Sequence, residues 1–324
     1  MTTLHRFTLF VAASTLLLIT AGGLVTSTDS GLAVPDWPNT YGYFMFSFPM
    51  SKMVGGVLYE HGHRLIASTV GMLMIGLAFW ISRLDDRRWV KRLAWGAVAA
   101  VVLQGTLGGI TVLYFLPAPI SIAHAGLAQI VFCLTVSLAL FTSPGWRDET
   151  AEPVADTILA RLTIATAMLV YAQILIGATM RHTGAGLAIP DFPLAFGHVI
   201  PPEWSWPIAI HFGHRVGAVV VTLAVVATAS HLLTHHRHQP QLRRLAWLLI
   251  GFVASQFTLG ALTVLSERQA GINTAHVATG AALLATSVLL ALRVHRHRFS
   301  DAPSRARIDV SATVPTTPSL GGVR

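Results

Sequence analysis

The stretch VLYEHGHRLIASTVGMLMIGLAFWIS occupies residues 57–82 and carries no charged residue after Arg64. As an α-helix it would extend about 39 Å, which exceeds the roughly 30 Å of hydrocarbon in a bilayer. Its first turns contain Glu60, His63 and Arg64. Ionisable side chains are costly inside a membrane and usually mark function there. The stretch therefore predicts a transmembrane helix that begins with functional residues.

Seven further apolar runs have comparable length, at 7–27, 93–114, 122–142, 157–179, 206–233, 245–265 and 273–292. Only helices and closed barrels satisfy their backbone polar groups in lipid, and these runs are too long for barrel strands. We therefore predict an all-α integral membrane protein with eight transmembrane helices.

Composition excludes several other classes of protein. Of the 324 residues, 53% are apolar and 11% charged, whereas about a quarter of the residues in a soluble domain are charged. A water-soluble enzyme is thus excluded, and the single cysteine, Cys133, excludes a disulfide scaffold. The first apolar run resembles a secretory signal peptide, but its counterpart deep inside the chain (below) argues against that interpretation.

The distribution of basic residues predicts the orientation. They concentrate between spans 2 and 3, around the 4–5 loop, between spans 6 and 7 and after span 8. By the positive-inside rule both termini are cytoplasmic, and loops 28–56 and 180–205 face outward. We expect a multi-pass protein of the plasma (inner) membrane, partnered by the lipid bilayer and by no nucleic acid.

The two halves of the chain repeat one another. SGLAVPDWP at 30–38 recurs as AGLAIPDFP at 185–193, His63-Arg64 recurs as His214-Arg215, and His124 recurs as His276. A four-helix unit keeps both copies in one orientation, so we predict two four-helix bundles related by a pseudo-two-fold axis along the membrane normal. The predicted divisions are 1–146, 147–298 and a disordered cytoplasmic tail at 299–324.

Four histidines begin the even-numbered spans at similar depth, which predicts two imidazole pairs toward the outer face: His63 with His124, and His214 with His276. Two imidazoles on different helices suit axial ligation of haem iron. A zinc site favours thiolates, and Cys133 is too far from His124 to contribute one. A copper site needs sulfur or a third imidazole, and in the second half His211 keeps that alternative weakly open. Arg64 and Arg215 either bind haem propionates or snorkel to the interface.

Glu60 lies one turn before His63, where the second half has His211. A buried carboxylate there could pair with Arg64, hold the imidazole proton of His63 or move protons at an iron site. It could also be a carboxylate favoured by the start of a helix. We expect the first half to perform the chemistry and the second half to carry a haem that transfers electrons. His61, His182 and His198 receive no role.

Glu60-x-x-His63-Arg64, His124, His214-Arg215 and His276 on eight helices, together with the 30–38 loop, resemble the haem A synthase family. That resemblance covers about residues 5–295. It implies that a methyl group of haem O is oxidised to a formyl group by successive hydroxylations with O2, giving haem A. It also implies haem b on the C-terminal pair, haem O as substrate at the N-terminal pair beside Glu60, and haem O synthase and cytochrome oxidase assembly as partners.

The chain departs from that family in one respect. Many members carry a cysteine pair in the first outer loop, and Val34 stands where its first cysteine would be. The Pro-Asp-Trp-Pro and Pro-Asp-Phe-Pro turns are then expected to hold the loops. The electron donor is not identified by the sequence. Two other functions stay open, namely a di-haem electron-transfer protein linked to quinol, and a non-catalytic haem carrier or oxidase assembly factor.

Overall fold

The computed structural model describes residues 2–147, 154–296 and 299. Within this part of the chain, eight helices are long and apolar enough to cross a membrane, which confirms the all-α, eight-span prediction. They are α1 (Thr3–Ser27), α2 (Gly56–Leu84), α3 (Arg88–Leu113), α4 (Ala118–Thr142), α6 (Thr157–His182), α7 (Trp206–His235), α8 (Pro240–Leu265) and α9 (Ala270–Val294). The short helix α5 (Pro144–Arg147) follows α4.

Most helices extend a few residues beyond the apolar runs. α3 begins at Arg88 rather than near residue 93, and α8 begins at Pro240 rather than near residue 245. Polar residues at the bilayer edge continue a helix because water can satisfy its free N–H and C=O groups. Hydropathy therefore located the membrane-crossing part of each helix and missed its solvated end turns.

Each half forms a ring of four helices. In the first half α1 packs on α2 and α4, and α3 packs on the same two helices; α6–α9 repeat this arrangement. Between the halves, α1 contacts α9, α4 contacts α6, and α4 contacts α9. These contacts map onto one another when the halves are exchanged. The arrangement favours the predicted pseudo-two-fold relation, which stays a prediction, as do the domain divisions.

The tightest packing lies away from the long outer loops. Met74, Leu77 and Ile81 are fully buried near the end of α2, and Leu232 and Leu249 are fully buried in the second half. Lipid is as apolar as leucine, so close van der Waals packing rather than exclusion of water holds these helices together. The opposite end of each ring contains the histidine pairs.

Two carboxylates tie helix ends together on the densely packed side. Asp85 accepts hydrogen bonds from Arg87 and, at 2.7 Å, from Arg147. Asp156 caps α6 through Leu159 N at 2.9 Å, and its Oδ2 lies 2.8 Å from Nε2 of both His231 and His236. Burial raises the pKa of each carboxyl, but these hydrogen bonds outweigh burial and lower the pKa of both.

The predicted tail begins at Phe299, whose ring packs on an aromatic cluster. Its centroid lies 5.6 Å from that of Trp89 and 5.7 Å from that of Phe141. The remainder of the predicted tail, 300–324, lies outside the described residues.

Candidate functional site

The four predicted histidines all lie near the outer-loop ends of their helices and are half-buried. In the second half the ring centroids of His214 and His276 lie 6.5 Å apart, with the ring planes inclined at 69° to each other. Two metal–imidazole bonds of about 2 Å, plus about 1.1 Å from each ring centre to its nitrogen, give about 6.3 Å. The spacing therefore fits one iron between the rings. In the first half, His63 lies within electrostatic range of His124.

Each histidine ring lies against a glycine of the preceding transmembrane helix. A Cβ atom added at Gly22 would be 3.0 Å from Cε1 of His63, and one added at Gly177 would be 2.9 Å from Cε1 of His214. A Cβ atom added at Gly108 would be 3.1 Å from Cε1 of His124, and one added at Gly260 would be 3.1 Å from Cε1 of His276. Nearly all real Cβ contacts are looser than this, so an alanine at any of these positions would require the imidazole ring to shift.

Glutamine side chains contact three of the four imidazoles. Gln173 Nε2 lies 3.1 Å from Nδ1 of His214, whereas Gln104 Nε2 and Gln256 Nε2 lie 3.4 and 3.2 Å from Nε2 of His124 and His276. Each glutamine precedes one of the contacted glycines by four residues. At the fourth position, Leu18 precedes Gly22. Sequence reasoning noticed the Gln-x-x-x-Gly repeat in α3 and α8 but assigned it no role.

Glu60 and Arg64 fasten the first outer loop to α2. Glu60 is 3% exposed; its Oε2 accepts a hydrogen bond from Val34 N at 2.7 Å, and its Oε1 accepts one from Arg64 at 2.6 Å. Arg64 also donates to the carbonyls of Asp36, Asn39 and Val34. Of the three roles considered for Glu60, the structure contains the pairing with Arg64.

The second half attaches its outer loop to α7 in the same way, through His211 and Arg215 in place of Glu60 and Arg64. Each of these two attachments is called a loop clasp below. Ile189 N, the counterpart of Val34 N, donates to Nδ1 of His211 at 3.2 Å. Arg215 donates to the carbonyls of Ile189, Asp191 and Leu194, while its Nε is buried without a hydrogen-bond partner. His211 and Glu60 thus occupy equivalent positions, and the second half lacks the carboxylate. The propionate role of Arg64 and Arg215 stays a prediction beside this loop-binding role.

A carboxylate also shapes each outer loop from within. Asp36 accepts hydrogen bonds at 2.8 Å from the N–H groups of Tyr41 and Gly42, and Asp191 does so from Phe196 and Gly197. Both turns need two consecutive positive φ angles, and glycine supplies the second. These hydrogen bonds lower the pKa of Asp191, and they lower that of Asp36 although burial raises it.

The other histidines near the outer loops, His61, His182 and His198, are not part of the two histidine pairs. His61 is buried, with Nδ1 2.9 Å from Thr40 Oγ1 and its ring on Phe48, so it supports the loop. His198 is exposed in the second outer turn. His182 ends α6 beside Arg181, which donates to Gly23 O and to Ser27 Oγ of α1 and so ties the halves together. Sequence reasoning counted this half-buried arginine among the basic residues of the outer loops, whereas it lies in the last turn of α6.

The first outer loop meets α3 through Trp37 and Gly109. A Cβ atom at Gly109 would lie 2.5 Å from Cδ2 of the Trp37 ring, whereas the second half has Ala261 opposite the smaller Phe192 at these repeat positions. We expect Gly109→Ala to destabilise the protein by about 1–3 kcal/mol through overpacking. Adding Trp37→Phe should recover most of that loss.

A double-mutant cycle on thermal unfolding of the detergent-solubilised protein measures this coupling. Trp37→Phe alone supplies the control. Equal destabilisation by Gly109→Ala in the presence of Trp37 and of Phe at residue 37 would contradict the proposed steric pairing.

Comparisons with known proteins agree with these features. The profile of the COX15-CtaA family, described as cytochrome oxidase assembly protein, matches residues 39–288. A protein of Symbiobacterium thermophilum named "Heme A synthase" is 32% identical over 273 residues, covering 81% of this chain and 86% of the relative. A protein of the same name from Geobacillus kaustophilus is 29% identical, over 89% of this chain and 92% of its own length. Another from Alkalihalophilus pseudofirmus is 26% identical, over 84% of this chain and 91% of its own length.

The matched region includes all four paired histidines, Glu60 and Arg64 of the first half, and the second outer loop with His211 and Arg215. The chain therefore belongs to the haem A synthase (COX15-CtaA) family of cytochrome oxidase assembly proteins, as its histidine and loop motifs indicated.

Proposed function

We propose that this chain is a haem A synthase that oxidises a methyl group of haem O to a formyl group, giving haem A for cytochrome oxidase. The observation that carries the proposal is the pair of matched histidine sites that differ at the loop clasp, where only the first half has a carboxylate. Family membership supports the reaction class. The presence of a carboxylate in the first half alone supports different functions for the two halves.

His214 and His276 are the proposed axial ligands of haem b. Their 6.5 Å ring separation and their glycine contacts support this assignment. When bound, haem b supplies one-electron redox chemistry. The residues of this half orient the imidazoles and hold the outer loop over them through Arg215. Copper at His211 is disfavoured because its Nδ1 already accepts from Ile189 N.

His63 and His124 are the proposed axial ligands of the substrate, haem O. Glu60 lies one turn from His63 and is almost fully buried, so its charge acts strongly in a medium of low dielectric constant. We propose that the Glu60 carboxylate stabilises positive character at the reacting methyl carbon or accepts its proton. Arg64 and Val34 N hold this carboxylate in place.

The proposed setting is the plasma (inner) membrane with both termini cytoplasmic and both histidine pairs toward the outer face. The basic loops support this orientation, and the pairs lie at the end of each bundle that carries the long loops. Haem O synthase is the proposed supplier of substrate, and an external donor supplies electrons. The product passes to cytochrome oxidase assembly.

Pigment analysis of the purified protein tests the reaction. The chain is expressed with and without haem O synthase in cells that lack their own haem A synthase, and bound haems are extracted and identified. We expect haem A only with co-expression. Two b-type haems per chain and no formyl product would instead favour the di-haem electron-transfer function. Haem O that remains unconverted with O2 and reductant would favour the haem carrier.

A further inference from the structure

Two histidines and one aspartate converge where α6 begins and α7 ends. Asp156 is the N-cap of α6, His231 lies in the last turns of α7, and His236 directly follows that helix. Oδ2 of Asp156 lies 2.8 Å from Nε2 of each histidine. Among the residues that the structure describes, no other three His, Cys, Asp or Glu side chains bring their ligand atoms within 4.8 Å of one another. This group lies at the end of the bundle opposite the two histidine pairs.

The three donor atoms are two imidazole nitrogens and one carboxylate oxygen. Zinc and its neighbouring divalent transition metals bind such mixed sets, whereas Mg²⁺ and Ca²⁺ favour oxygen donors alone. Zinc bonds of about 2.0–2.2 Å at tetrahedral angles place the donor atoms about 3.3–3.6 Å apart. Shifts on the order of 1 Å at the tips of these side chains produce that geometry from the observed separations.

The three side chains have the partial exposure that a metal site with a water ligand needs. Those of Asp156, His231 and His236 are each 17% exposed, so an ion and water reach them while most of each side chain stays packed. Three protein ligands and one water are a common arrangement around zinc. Asp156 is oriented by a further hydrogen bond, from Leu159 N to its Oδ1 at 2.9 Å. The ring of His231 stacks on that of His235, with centroids 4.4 Å apart.

The first half has no imidazoles at the corresponding end. At the 151-residue offset between α2 and α7, Trp80 stands in place of His231, and Asp85 stands in place of His236. Asp85 is paired with two arginine side chains. A guanidinium stays protonated and has no lone pair for a metal. The two halves therefore tie their helix ends with different chemistry, and only the second half does so with groups that can ligate a metal.

Ligation changes the tautomer of both histidines. As hydrogen-bonded to Asp156, each imidazole carries a proton on Nε2, because an ionised carboxylate only accepts. Zinc binds the lone pair of Nε2, so the neutral imidazole then carries its proton on Nδ1. Solvent reaches these partly exposed rings and can carry that proton from one nitrogen to the other. The carboxylate keeps its charge and becomes the third ligand.

We propose that Asp156, His231 and His236 bind one Zn²⁺ ion, with water as the fourth ligand, and so fasten the start of α6 to the end of α7. In the proposed orientation this end faces the cytoplasm. The ion stabilises the second half, because a metal that binds only the assembled ligands favours the folded state. The zinc site is separate from the proposed haem chemistry and does not depend on it.

Zinc binding by the full-length, haem-loaded protein in detergent tests the proposal, with a purification tag that contains no histidine. After dialysis against chelator-buffered zinc, we expect elemental analysis to find one Zn²⁺ per chain. Zn²⁺ should raise the unfolding temperature, and Mg²⁺ should not. Asp156→Asn keeps an oxygen that caps α6 but removes the carboxylate, and His236→Ala removes one imidazole. Each should weaken zinc binding by about 10-fold or more.

His198→Ala is the matched control, because His198 is exposed in the second outer turn at the opposite end of the bundle. We expect wild-type zinc binding in that variant. Haem b content and unfolding in the presence of a chelator show whether each variant folds. X-ray absorption at the zinc edge should show nitrogen and oxygen ligands with imidazole scattering. Wild-type protein that binds no zinc, wild-type zinc affinity in Asp156→Asn and His236→Ala, or zinc bound through sulfur would overturn the proposal.

Discussion

His214→Ala is expected to leave the purified protein with less than about a tenth of the haem b of the wild type. Removing one of two axial imidazoles costs more than disturbing an outer-shell partner, which alone changes affinity about 10–100-fold. The ring lies 6.5 Å from that of His276 across the proposed iron position. Pyridine haemochrome analysis against protein concentration measures the loss.

His235→Ala is the matched control on the same helix. His235 is exposed, stacks on His231 and lies at the opposite end of α7 from His214. We expect wild-type haem content in that variant. Full haem retention by His214→Ala, with a normal low-spin spectrum, would contradict the assignment of the second pair.

Glu60→His is expected to lower haem A formation on the order of 100-fold while leaving haem b in place. The second half contains this arrangement naturally, since His211 accepts from Ile189 N where Glu60 accepts from Val34 N. The loop clasp should therefore persist, and Arg64 should keep its three carbonyl acceptors as Arg215 does. Loss of formyl product then reports loss of the carboxylate itself.

The alanine variant is a poorer test of the same residue. Both variants leave the buried Arg64 without its carboxylate, and breaking a buried pair costs about 3–5 kcal/mol. Glu60→Ala also leaves Val34 N without an acceptor, whereas Glu60→His retains one, as His211 does for Ile189 N. Chromatographic quantification of haem A and haem b in one extract measures catalysis and folding together. Haem A production by Glu60→His at the wild-type rate would show that the carboxylate serves the loop clasp alone.

Hydropathy predicted the helices well because each run satisfies a strong physical constraint by itself. A segment that crosses hydrocarbon must be apolar for about 20 residues, so all eight spans could be located from local sequence. The ends of α3 and α8 could not, because helices continue into the interface where hydropathy carries no signal. The duplication likewise predicted the two rings of four helices.

Of the candidate site, only the four proposed ligands were predictable. His63, His124, His214 and His276 stood out because ionisable groups in lipid are costly and these recur in register. The clasp between Glu60 and Val34 N was not predictable, because it joins a helix to a loop residue 26 positions away. The contacts of Gln173 were hidden for the same reason, since its partners His214 and Gly217 lie on another helix.

The sequence by itself determined the membrane class, the number of spans, the internal repeat and the four paired histidines. Each of these depends on local hydropathy or on a recurring spacing, which need no knowledge of neighbouring helices. Tertiary structure alone decided which glycine faces each imidazole, which nitrogen Gln173 contacts and where Glu60 and Arg64 direct their hydrogen bonds. Those choices depend on how helices distant in sequence are rotated and spaced, because ångström-scale contacts between side chains arise only when the helices pack.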